Sequence, residues 1–118
     1  KGSHLIGRGH NQMELLTDPT AHAEIIAITA AASFLEDWRL EECTLYVTKE
    51  PCAMCAGAII NSRLEKVVFG CYDEEEGCCG SLYQICSDPR FSHKTAVKGG
   101  ILENDCSSLL VNFFKSRR

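Results

Sequence analysis

His22 and Glu24 stand two apart in Thr20-Ala21-His22-Ala23-Glu24-Ile25, and Cys52 and Cys55 stand three apart in Pro51-Cys52-Ala53-Met54-Cys55. An imidazole and two thiols are zinc donors, and thiols three apart at a helix start share one face. The N-terminus of a helix carries free N–H groups and positive dipole character, which favour thiolate over thiol and hence metal binding. Two sulfurs and one nitrogen make the ligand set of a catalytic zinc whose fourth position holds water. Glu24 gives that water a use. A carboxylate in the first helical turn can reach toward it and carry its proton to substrate and leaving group, which a structural zinc does not require. Taken alone, Cys-x-x-Cys also fits a redox pair, or half of a structural site completed by Cys71, Cys78 or Cys79. His22 alone also fits a capped or core histidine.

These residues must be held by helices and strands. Asp18-Pro19-Thr20 is a helix-start signal, and the spacing of Ile25, Ile28, Ala32 and Leu35 predicts a helix over about Pro19–Glu36. Thr44-Leu45-Tyr46-Val47-Thr48 reads as a strand, Pro51 as the first turn of a helix over Cys52 to about Ser62, and Lys66–Cys71 as a buried strand. Strands separated by helices predict parallel pairing with right-handed crossovers. Around this centre, Leu5–Asn11 is β-compatible and Gln12–Asp18 reads as a loop. Asp73–Gly80 reads as an acidic turn leading to a short helix near Leu82–Cys86. Thr95–Lys98 reads as a last strand, and Asn104–Phe114 as a terminal helix with Leu109, Leu110, Phe113 and Phe114 inward. Its basic end, Lys115, Arg117 and Arg118, suits phosphate contacts and equally a solvated helix end.

The 118 residues, 45% of them apolar, predict a single domain over residues 1–118 with an adequate core. A net charge of −4 excludes an indiscriminate nucleic-acid binder but not a local basic patch. The sequence shows neither a membrane span nor the apolar region of a secretory signal, so the expectation is a soluble cytoplasmic protein. Its eight cysteines are then expected to be reduced, with Cys43, Cys71, Cys78, Cys79, Cys86 and Cys106 packing as small hydrophobes.

His-x-Glu with Pro-Cys-x-x-Cys is the signature of the zinc deaminases, and both halves are present. Around them, Asp18–Ile25, Trp38-Arg39-Leu40, Thr44–Thr48, Glu50–Ala58, Ser62-Arg63, Val68-Phe69-Gly70, Gly80-Ser81-Leu82, Gly100-Ile101-Leu102 and Phe113-Phe114-Lys115 make the likeness specific. The chain resembles the bacterial tRNA-specific adenosine deaminases, a branch of the cytidine deaminase superfamily. The resemblance implies an α/β fold: a three-layer α/β/α sandwich on a mixed five-stranded sheet. The helix and strand that open the family fold have no counterpart here. Lys1–Asn11 matches the second strand, and the absent strand would lie between the second and third.

The resemblance further implies a homodimer that binds one zinc per chain through His22, Cys52 and Cys55. It would convert adenosine to inosine at the first (wobble) anticodon position of a tRNA. Glu24 would move protons to N1 and to the departing ammonia, Asn11 would contact the target nucleoside, and Asp73 and Phe114 would lie near the anticodon stem-loop. Two other readings stand beside this one: a deaminase of a free base or nucleotide, of guanine or deoxycytidylate type, and a structural zinc module used for binding.

Overall fold

The computed structural model of the chain describes residues 1–106 and Leu110. Its elements run α1 (Met13–Leu16), α2 (Ala23–Leu35), β1 (Thr44–Lys49), α3 (Ala53–Asn61), β2 (Lys66–Cys71) and β3 (Ala96–Lys98). The strands form one sheet in the order β1-β2-β3, parallel throughout, with Leu45 beside Val67, Val47 beside Phe69, and Val67 beside Val97. Parallel pairing is what the alternation of helix and strand predicts.

Side chains alternate across a strand, so Leu45, Val47, Val67 and Phe69 share one face. There they pack with Ala31 and the half-buried Ile28, Ala32 and Leu35 of α2, and with Ala56 and Ile59 of α3, to form the core. The other face carries Tyr46, 76% exposed, and Gly70. Residues 103–106 are helical and lie on this side: a Cβ at Gly70 would overlap the Cys106 thiol. Helical segments thus lie on both sides of the sheet, in three layers, with Tyr46 left uncovered. Phe69 is the largest side chain with no exposure. Phe69→Ala is expected to cost about 3–5 kcal/mol by leaving a cavity between sheet and helices. A chemical-denaturation midpoint unchanged from wild type would contradict this account of the core.

Several sequence expectations change. Leu5–Asn11 forms no regular element and joins no sheet. It lies along α2 so closely that a Cβ at Gly7 would stand 2.7 Å from the Ala27 carbonyl oxygen, and one at Gly9 2.8 Å from that of Ala23. A cleft of about 40 Å³ lined by Gly7, Ala27, Ala31, Thr44, Leu45 and Leu64 lies between this segment and β1. Among the described residues β1 therefore pairs on one side only, and the sheet has three strands, not five. The gap falls where the resemblance puts the absent strand. Within the expected loop 12–18, residues 13–16 form α1, whose Met13 N–H donates to Asn11 Oδ1 at 3.1 Å.

α2 starts four residues later than predicted, because Asp18 is spent on a turn. Its Oδ1 accepts the Thr20 amide at 2.8 Å and the Thr20 hydroxyl at 2.7 Å, leaving His22 in the cap position. Residues 82–86 form no helix. The chain reverses at Gly80 (φ +155°), Gly80 N–H donates to Tyr83 O and Ile85 N–H to Cys78 O, and Cys79 bridges Gln84 antiparallel. That reversal delivers Cys79 and Cys86 to the core while Leu82 and Tyr83 stay outside. Of the predicted terminal helix, Leu110 is half-buried, whereas Leu109, Phe113 and Phe114 lie outside the described residues.

Candidate active site

His22 and Cys52 are the N-caps of α2 and α3, with extended backbones (φ −71°, ψ 152° and φ −75°, ψ 179°). Neither side chain caps its own helix; both turn toward the same point. Pro51 therefore sits one residue outside α3 rather than in its first turn, and is fully buried. Cys55 follows on the first turn of α3, with no exposure. His22 Nδ1 lies 3.6 Å from Cys52 Sγ and 3.6 Å from Cys55 Sγ. A tetrahedral ion bound at ~2.3 Å by sulfur and ~2.05 Å by nitrogen sets those donors about 3.6 Å apart. Both nitrogen–sulfur separations thus match those of a bound zinc ion.

Among the described residues no fourth His, Cys, Asp or Glu joins this cluster, whose donor atoms all lie within 4.8 Å of one another. The sulfurs weighed as a fourth ligand point elsewhere: Cys71 Sγ to the Thr48 carbonyl at 3.6 Å, Cys78 Sγ to the Glu76 carbonyl at 3.5 Å, and Cys79 Sγ to Cys86 Sγ at 3.4 Å. All eight cysteines are free thiols. Among the described residues the donor set therefore has three members.

Glu24, in the first turn of α2, stands against that cluster. Burial pushes the Cys55 thiol well above its usual pKa, and the charge and hydrogen bond of the Glu24 carboxylate push it further. Without an ion the positive ends of the two helices do not make Cys55 a thiolate, since burial and a neighbouring anion prevail. A bound dication must displace that proton.

Asn11 is brought to this end of the molecule by the Gln12 N–H to Ala21 carbonyl bond (2.9 Å), one residue from His22. Asn11 is exposed, and with Oδ1 engaged by Met13 its amide nitrogen is the atom it can offer. Asp73 is tied up. Its Oδ1 accepts the Glu75 and Glu76 amides at 3.1 and 3.2 Å, and its Oδ2 pairs with Lys49 at 3.2 Å. Burial acts to raise its pKa, but Lys49 and the two amides outweigh burial and hold it below the usual range. Phe114 lies outside the described residues.

Sequence reasoning missed Glu50, 3% exposed, directly before Pro51-Cys52. Burial acts to raise its pKa, but hydrogen bonds from Ser81, Asp73 and Cys79 overcome that and leave the carboxyl below its ordinary value. The only local signal is its place beside the cysteine motif. Its partners are 23 to 31 residues away.

The MafB19-like deaminase family model matches residues 1–118. The chain is similar to the tRNA-specific adenosine deaminase of Bacillus subtilis (strain 168), 47% identical over 97% of this chain and 71% of that one. It is also similar to a structure from work on A-to-I editing by tRNA:A34 deaminases at the wobble position of transfer RNA. There the TM-score is 0.83 and the identity 38%, with 88% of this chain and 75% of that chain covered. A guanine deaminase structure from Bacillus subtilis aligns less completely, with a TM-score of 0.60 and 40% identity over 61% of this chain and 46% of that one.

Proposed function

Because this chain belongs to the MafB19-like deaminases, and within them to the tRNA-specific adenosine deaminase family, we propose that it hydrolyses adenosine to inosine at the wobble position of a tRNA anticodon. The observation that carries the substrate is the likeness to a tRNA-specific enzyme over 97% of the chain. The guanine deaminase covers 61%.

His22 through Nδ1, with Cys52 and Cys55, would hold one zinc ion, as the 3.6 Å donor separations support. Bound there, the ion supplies the Lewis acidity that makes water nucleophilic near neutral pH. Glu24 takes the proton as water adds to C6 of adenine and delivers it to N1. It next carries a proton to the amino nitrogen, which departs as ammonia, so adenosine and water become inosine and ammonia. The target base must leave its stack, which is less costly in a single-stranded anticodon loop than in a duplex. Asn11 would donate its amide to the nucleoside. Asp73, fixed by Lys49, would place its loop near the anticodon, and Phe114 would line the same region.

We place the enzyme in the cytoplasm with its tRNA substrate. No described helix is long and apolar enough to cross a membrane. We also propose a homodimer, supported by the large apolar side chains left exposed, such as Phe34 (68%) and Tyr83 (68%), since such surface often marks an interface.

The guanine deaminase likeness favours one second reading, action on a free base. Incubating zinc-loaded protein with an anticodon stem-loop RNA, or with free guanine and adenosine, separates the two. Inosine in the RNA is the expected product. Turnover of the free base alone would overturn the tRNA reading.

A further inference from the structure

Glu50 has no part in the chemistry above, yet its carboxylate draws together more of the site's surroundings than any single ligand does. Oε1 accepts the Asp73 amide at 3.0 Å and the Ser81 hydroxyl at 2.5 Å, while Oε2 accepts the Cys79 amide at 3.0 Å and the Ser81 amide at 2.9 Å. All four donors come from one loop, residues 73–81, and the acceptor stands two residues before Cys52. The loop folds tightly over it, since a Cβ at Gly77 would overlap the carboxylate. Two further ties run between the same segments: Cys78 N–H to the Pro51 carbonyl at 2.9 Å, and Lys49 to Asp73 at 3.2 Å.

We infer that Glu50 is a positioning residue for deamination: its carboxylate fixes the 73–81 loop against the start of the metal-binding helix and so sets the spacing between the RNA-facing loop and the reacting centre. The inference rests on the functional reading above. A carboxylate is suited to this because it only accepts. Glutamine in the same place would turn an NH₂ group toward N–H donors already aimed at Oε2. Two of the metal ligands stand apart from this network, His22 at the start of α2 and Cys55 within α3. Loosening the loop should therefore weaken RNA engagement before it weakens chemistry.

The test compares Glu50→Gln and Ser81→Ala with wild type as the zinc-loaded chain, below their melting temperatures. Zinc stoichiometry, kcat and KM on an anticodon stem-loop, and hydrogen exchange at the amides of Asp73, Cys79 and Ser81 are measured. Glu50→Gln is expected to keep its zinc, to raise KM about tenfold with kcat within about threefold, and to speed exchange at Cys79 and Ser81 about tenfold, in keeping with the loss of buried hydrogen bonds to a charged group. Ser81→Ala removes only the hydroxyl and should move KM and exchange in the same direction by about twofold to threefold. A merely structural role lowers the melting temperature but leaves KM and kcat of the folded protein at wild-type values, and that result overturns the inference. So does loss of zinc in proportion to activity. If Glu50→Gln does not fold, an unchanged KM in Ser81→Ala overturns it instead. A wild-type chain that leaves the RNA untouched defeats the functional reading, while the exchange rates still decide whether Glu50 anchors the loop.

Discussion

Glu24→Ala is expected to lower turnover of an anticodon stem-loop by about three orders of magnitude, within the range that general acid–base groups contribute, while the protein keeps its zinc. The second half of that statement follows from the site. The three donors His22, Cys52 and Cys55 all remain, and without the Glu24 carboxylate, which raises the pKa of the Cys55 thiol, the thiolate forms more easily. Glu24 is half-buried and outside the core cluster, and the cap of α2, His22, is two positions before it, so the fold should persist. The measurement pairs single-turnover inosine formation with metal analysis of the same sample. A variant that holds zinc and still deaminates at close to the wild-type rate would end the proton-carrier assignment.

Cys55→Ala should act on the metal itself. It removes one of three donors, and the expected fall in zinc affinity exceeds the 10- to 100-fold typical of losing a residue that only orients a ligand; activity should fall below detection without added metal. The side chain lost is small, so unfolding should change little, and competition with a chromophoric chelator can be read on folded protein. Wild-type affinity should climb with pH. The Cys55 pKa lies above its usual value, so the thiol is protonated at neutral pH, a proton must leave when the ion enters, and alkaline conditions favour that exchange. Retained wild-type affinity in Cys55→Ala, or affinity indifferent to pH, would exclude this sulfur as a ligand.

How much of this was legible in advance divides by distance along the chain. His22, Glu24, Cys52 and Cys55 could be read because each pair is local and its chemistry is written in residue type and spacing. β1, α3 and β2 were legible for a similar reason, with β-branched and apolar runs bounded by clear breaks. The start of α2 was misplaced because Asp18 has two uses, capping a helix or closing a turn on Thr20, and composition does not choose between them. Leu5–Asn11 carries strand-like residues, but a strand requires a neighbour and the described chain offers none beside it. The 82–86 reversal depends on Gly80 and on burying Cys79 and Cys86 together, a tertiary demand that outweighs local helix preference. Glu50 was invisible for the strongest reason. A glutamate in a sequence reads as surface, and only folding shows the donors it meets from 23 to 31 residues away.

The donor atoms gathered by the two helix caps also determine which ions are turned away. Magnesium and calcium are hard cations that require several oxygen ligands, and here they meet two sulfurs, one nitrogen and a single adjacent carboxylate. Abundance in the cell therefore gives them little advantage, whereas soft or borderline metals compete in the usual order of affinity, copper above zinc and cobalt. For this chain, selectivity against the common alkaline-earth ions follows from ligand chemistry alone, and discrimination among zinc, cobalt and copper falls to supply.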